Sequence, residues 1–128
     1  MKPKVITTDR APKAVAAYSQ AVHCNGFIFL SGQILFDLVS GALVEGDITV
    51  QTRRVMDNLA AVLEAAGSNF EHVAKATIYL VDMNDFAKAN EVYAGYLTGE
   101  TKPARVTVAV AALPRGARVE IEMVAVPV

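Results

Sequence analysis

Apolar and polar residues along the chain fall into blocks of two different periods. The first clear block is Ala21-Val22-His23-Cys24 followed by Phe27-Ile28-Phe29-Leu30-Ser31, two strand-like runs separated by Asn25-Gly26. An Asn-Gly pair supplies the positive φ angles of a two-residue hairpin turn, so these runs are expected to pair as a β-hairpin. From Gln33 to Asp47 the pairs Ser40-Gly41 and Glu45-Gly46 read as turns around a short irregular strand pair. From about Thr49 to Ala66 the period becomes helical, with Val55, Leu59, Val62, Leu63 and Ala66 on one stripe and Gly67 as the stop. Val73 to Val81 alternates as a strand, with Ala74, Ala76, Ile78 and Leu80 on one face. A second helix, capped by Asn84 or Asp85, carries Phe86, Ala89, Tyr93 and Leu97 inward and ends before Gly99 and Pro103. Two further strands, Ala104 to Ala111 and Arg118 to Val126, flank a turn at Leu113-Pro114-Arg115-Gly116.

Hairpin, helix, strand, helix, strand, strand is the order of an α+β fold in which both helices cover one face of a mixed sheet. In the last strand Val119, Ile121 and Met123 are expected to face the helices, which turns Arg118, Glu120 and Glu122 to the uncovered side. In the strand before it, Arg105 shares a side with Thr107, Ala109 and Ala111, and that side is read as the uncovered face as well. Arg105 and Glu120 are therefore expected on the same surface.

Composition sharpens this picture. The chain has 128 residues and 13.6 kDa, the size of one domain spanning 1–128, with 53% hydrophobic residues and a mean hydropathy of +0.34. Alanine and valine make up more than half of those hydrophobic residues. That is more apolar surface than one small core absorbs, and a subunit interface is the usual place for the surplus. Twelve Lys and Arg against thirteen Asp and Glu give a net charge of −1, with no basic cluster suited to nucleic acid. No apolar run approaches the roughly 20 residues of a membrane span, and the first 18 residues lack the apolar segment of a secretory signal. A lone Cys24 fits a reducing, cytoplasmic setting.

Common catalytic motifs are missing: no phosphate-binding glycine loop, no C-x-x-C, no H-E-x-x-H, no G-x-S-x-G. Two histidines and one cysteine do not assemble the ligand set of a metal site, so no metal and no cofactor are expected. Cys24 reads as a small hydrophobe. Asn90 falls on the inward stripe of the second helix, either as a buried amide tying down a strand edge or as a group aimed at a ligand. Arg105, set within a strand, needs an anion: Glu120 in a structural salt bridge, or the carboxylate of a ligand.

Pro103-Ala104-Arg105-Val106-Thr107-Val108, followed by Val119-Glu120-Ile121-Glu122, resembles the C-terminal signature of the RidA/YjgF family of reactive-intermediate deaminases. Ala11-Pro12, Tyr18-Ser19-Gln20-Ala21-Val22, Leu30-Ser31-Gly32-Gln33, Asp57-Asn58-Leu59, Glu64-Ala65-Ala66-Gly67 and Asp85-Phe86 with Asn90 and Tyr93 resemble other family segments in order. The resemblance implies a chorismate-mutase-like α+β subunit in a homotrimer with intersubunit clefts. It implies hydrolysis of small 2-enamino and 2-imino acids, such as 2-aminoacrylate and 2-aminocrotonate, to 2-keto acids and ammonia, downstream of pyridoxal-phosphate-dependent dehydratases. It further implies that Arg105 grips the substrate carboxylate, that Glu120 positions the attacking water, and that Tyr18, Ser31, Gly32, Asn90 and Thr107 line the pocket. Two positions depart from the family pattern: Ala16-Ala17 stands where Gly-Pro is frequent, and Thr107 where cysteine is common. Two other readings compete: a non-catalytic trimeric module for small carboxylates or partner proteins, and a ribonuclease, which the lack of a His/His or His/Lys pair disfavours.

Overall fold

The computed structural model describes residues 1–35 and 45–128. Six strands form one sheet: β1 (Lys4–Ile6), β2 (Ala21–Cys24), β3 (Phe27–Gln33), β4 (Val73–Leu80), β5 (Ala104–Ala109) and β6 (Val119–Ala125), in the order β1-β2-β3-β6-β4-β5. All neighbours are antiparallel except β4 and β5, which run parallel, so the sheet is mixed. Helices α1 (Ile48–Ala65) and α2 (Phe86–Tyr96) lie on one face, as the sequence predicts.

Local chemistry explains the boundaries. Asn25 and Gly26 have φ of 52° and 83°, the left-handed pair that closes the β2–β3 hairpin. Asp47 caps α1 by accepting from the Val50 amide at 3.0 Å. At the other end Gly67, with φ of 75°, lets its own amide reach the Glu64 carbonyl and the Ser68 amide reach Leu63, so the last carbonyls of the helix are satisfied. The buried stripe of α1, including Val55, Leu59, Val62 and Leu63, packs on Ile28, Leu30, Ile78, Val119, Ile121 and Met123 from the strands.

Four expectations need correction. Strand β1 was not foreseen: three residues pairing Lys4 with His23, Val5 with Val22 and Ile6 with Ala21 are too short to show a period. Ala74 does not share the buried face of β4; the register slips between Val73 and Lys75 opposite β6, and the bulge turns Ala74 outward. Asp85 does not cap α2 with its side chain; Asp82 instead accepts from the Asn84 amide at 2.9 Å, and Asp85 is drawn to Arg118. Arg118 accordingly does not join Glu120 and Glu122 on the uncovered face but pairs with the buried Asp85 at 2.6 Å. The strand pair expected between Gln33 and Asp47 falls largely on 36–44, outside the described residues, while Glu45-Gly46 leads into α1 without a strand.

Candidate active site

Register decides where the two charged candidates point. Glu120 pairs with Tyr79 across β6 and β4, and Tyr79 also pairs with Val108 of β5, so these three share the uncovered face. Arg105 pairs with Ala76 and Thr107 with Ile78, both buried beneath the helices, so Arg105 and Thr107 lie on the helix side. The expectation of a shared face is overturned, and with it the salt bridge between Arg105 and Glu120. The physical reason is that β5 is an edge strand, mostly exposed on both sides, and alternation alone does not say which side the helices cover.

Arg105 stands at the rim where α2 meets β5. Its guanidinium lies 5.2 Å from the Tyr93 ring centroid and 5.7 Å from that of Phe86, and donates to Asn90 Oδ1 at 2.6 Å. Phe86, Asn90 and Tyr93 are spaced at four and three residues on α2, which puts them on one face of the helix toward the edge strand. Asn90 is half-buried and ties down the edge strand by holding its arginine. The two rings and one hydrogen bond from Nη1 to the Asn90 amide oxygen orient the planar group. The adjoining cleft measures about 420 Å³ and is lined by Asn90, Tyr93, Ala94, Leu97, Lys102, Pro103 and Arg105. Burial raises the Tyr93 phenol above its ordinary value, with the Arg105 charge opposing. Thr107, two residues along on the same face, is half-buried, and its Oγ1 has no hydrogen-bond partner.

Glu120 opens into a separate cleft of about 410 Å³, lined by Tyr18, Ser31, Gly32 and Glu120 together with Pro12, Lys13, Val15, Gln33, Ile34, Pro114 and Arg115. A bulge makes this possible. Leu30 pairs with Met123 and Gln33 with Ile121, so Ser31 and Gly32 together stand opposite Glu122. A Cβ on Gly32 would sit 2.5 Å from Glu120 Oε2, so the carboxyl lies directly against the glycine backbone. Ser31 Oγ donates to the Ser19 carbonyl, and the Ser31 amide to that of Gln20, fixing the bulge to the segment that carries Tyr18. Tyr18 is half exposed at the rim. Burial, and then the neighbouring Glu122 charge, raise the Glu120 carboxyl above its ordinary range.

The structure thus sorts the candidates into two groups: Tyr18, Ser31, Gly32 and Glu120 around one cleft, Asn90 and Arg105 at the other, with Thr107 beside Arg105 but lining neither. Sequence reasoning missed the stacking of Phe86 and Tyr93 on Arg105, although their four- and three-residue spacing with Asn90 carried the signal. It also missed Lys13, Val15 and Arg115, which reach the Glu120 cleft from loops without any period to read. Among the described residues no group of three or more His, Cys, Asp or Glu could hold a metal ion.

Comparison with known proteins places the chain. The family model described as Endoribonuclease L-PSP matches residues 8–127. A RutC family protein of Pyrococcus horikoshii is 53% identical over 95% of this chain and 96% of its own length. The 2-iminobutanoate/2-iminopropanoate deaminase of Mus musculus is 49% identical over 96% of this chain and 90% of its own. The crystal structure of a Rid family protein, YyfA, from Yersinia pestis superposes with a TM-score of 0.95 at 46% identity, covering 98% of this chain and 99% of that one. The arginine and glutamate signatures, the mixed sheet under two helices, and similarity over nearly the full length make this chain a member of the RidA/YjgF family.

Proposed function

We propose that this protein is a homotrimeric, chorismate-mutase-like deaminase that hydrolyses small 2-enamino and 2-imino acids, such as 2-aminoacrylate and 2-aminocrotonate, to 2-keto acids and ammonia. The observation that carries this reading is the separation of Arg105 and Glu120 onto opposite faces of the sheet in one chain. Each borders an open cleft that holds half of a site, an anion grip without a base in one and a carboxyl without an anion grip from Arg105 in the other. Cyclic association, with the β5 edge of one subunit set against the Glu120 cleft of the next, joins the halves. It also covers the apolar side chains that the helices leave bare: Val5, Phe27, Phe29, Val106 and Val108 are 37–59% exposed on the uncovered face.

In the joined cleft Arg105, preset by Asn90 and the two rings, takes the substrate carboxylate in a bidentate contact. The enamine takes a proton from solvent at its methylene carbon and becomes the iminium form. Glu120, with its raised proton affinity, takes a proton from a water whose oxygen attacks the C=N carbon, and the C=N electron pair moves to nitrogen. Glu120 returns that proton to nitrogen, the C–N bond breaks, the carbonyl forms, and the hydroxyl proton leaves with ammonia as ammonium. The imine is already electrophilic, so positioning and proton transfer suffice. Tyr18 and Ser31 border the reacting end. The substrate class makes pyridoxal-phosphate-dependent dehydratases the source, and the free Cys24 fits a cytoplasmic setting.

The name of the mouse relative, at 49% identity, supports the reaction. The nuclease name of the family finds no support in the histidines: neither His23 nor His72 lines either cleft. The test is keto-acid release when the protein is added to a serine or threonine dehydratase reaction. Acceleration by wild type and its loss in Arg105→Ala are expected; binding of small carboxylates without turnover in wild type would establish the non-catalytic module instead.

A further inference from the structure

Glu120 is not the only carboxylate on its strand face. Glu122 follows two residues later on β6, so the two side chains leave the same side of the sheet, and both are half-buried. Glu122 is held in place: the Tyr79 hydroxyl donates to Glu122 Oε2 at 3.0 Å. Tyr79 is at the same time the cross-strand partner of Glu120, so one phenol spans both carboxylate positions. On the other side the Ser31–Gly32 bulge of β3 stands opposite Glu122 while Gly32 presses on Glu120. Two carboxyl groups are therefore confined side by side by β3 and β4, where a surface pair would splay apart.

We propose that Glu122, clamped by Tyr79, is a positioning residue for Glu120: its fixed negative charge strengthens Glu120 as the base that takes the proton of water and holds it for the departing nitrogen. This rests on the deaminase reading of the site. A single carboxyl that acts first as base and then as acid works best when its proton affinity approaches the working pH, and an ordinary carboxylate is too weak a base for that. A buried like charge corrects it. The other groups near Glu120 do not supply that charge: β3 presents the uncharged Ser31, Gly32 and Gln33, β4 presents Tyr79, and Arg118 is turned off this face to Asp85. Lys13 and Arg115 line the same cleft as cations, so the negative charge beside Glu120 comes from Glu122. The upward direction for Glu120, with Glu122 as its second cause after burial, agrees with the geometry.

Two measurements on the intact protein test this. In the first, the acid limb of kcat/KM against pH is compared between wild type and Glu122→Gln. The limb is expected to move to lower pH, with kcat about tenfold lower near neutrality and KM unchanged. In the second, the Glu120 side-chain carboxyl is titrated by carbon NMR in both proteins; its midpoint is expected to fall in Glu122→Gln, and in Tyr79→Phe, which keeps the ring and releases the clamp. Tyr79→Phe also serves if Glu122→Gln does not fold. Unmoved midpoints in an active wild type overturn the role of Glu122 and leave the deaminase reading intact. Absence of turnover in wild type overturns the deaminase reading first, and the catalytic use of the pair with it.

Discussion

Arg105 and Glu120, two charged residues on strands separated only by β4, point to opposite faces of the sheet. Neither can serve the other within one chain. On the proposed reading they cooperate across two copies of the chain, and that gives the sharpest tests.

Mixing two inactive variants should restore activity. In a trimer containing both Arg105→Ala and Glu120→Gln chains, one of the interfaces joins an intact arginine from one chain to an intact glutamate from another. Random subunit exchange at equal amounts should recover about a quarter of wild-type turnover. A protein carrying both substitutions on every chain should recover none on mixing with itself. Silence in the first mixture, after exchange is confirmed by mass spectrometry, would sink the intersubunit site.

Arg105→Lys and Asn90→Ala should separate charge from orientation. Lysine keeps the charge but loses the planar fork and the stack on Tyr93 and Phe86, and Asn90→Ala frees the guanidinium that Asn90 holds at 2.6 Å. A charge-assisted hydrogen bond contributes about 1.5–3 kcal/mol, so roughly ten- to hundredfold losses in kcat/KM are expected for either. Steady-state kinetics with 2-aminoacrylate generated in situ gives the answer.

Gly32→Ala should impair the reaction with little effect on the fold. The added Cβ would meet Glu120 Oε2 at 2.5 Å and its Cδ at 2.8 Å, so the side chain must swing out of its seat against the bulge. The expected result is a drop in kcat of about tenfold or more with a near-wild-type circular dichroism spectrum. Full activity would mean that the carboxyl does not act from this position.

Stability should carry a pH signature of Glu120. Its carboxyl binds a proton more tightly in the folded than in the unfolded protein, because burial and then Glu122 disfavour the charged form. The native state therefore binds more protons between the two values, and this group's contribution to stability falls as pH rises from the ordinary carboxyl value through the raised one. Glu120→Gln removes that slope, which denaturant unfolding at a series of pH values reads directly.

Asp85 and Arg118 should form a structural pair independent of turnover. Asp85 is 8% exposed and accepts from both Nε and Nη2 of Arg118, which ties the turn before α2 to the start of β6. Arg118→Ala leaves a buried carboxylate alone; since the arginine itself is partly solvated, a loss of about 1–3 kcal/mol is expected rather than the full cost of a buried pair. A lower Tm with unchanged KM would match that role.

Much of this molecule could be read from local pattern. The Asn25-Gly26 turn, the extents of α1 and α2 to within a residue or two, and the buried side of β6 follow from φ preferences and from periods of 3.6 and 2, which are properties of the chain itself. The sequence also singled out Arg105, Glu120 and the residues around them. What it could not determine was which of them meet. The side of β5 that faces the helices depends on its parallel register with β4, the seat of Glu120 on the two-for-one bulge at Ser31-Gly32, and the clamp on Glu122 on a diagonal reach from Tyr79. Each of these is a pairing between segments distant along the chain. Alternation fixes that successive residues oppose one another, but only the neighbouring strand fixes which of the two sides is covered.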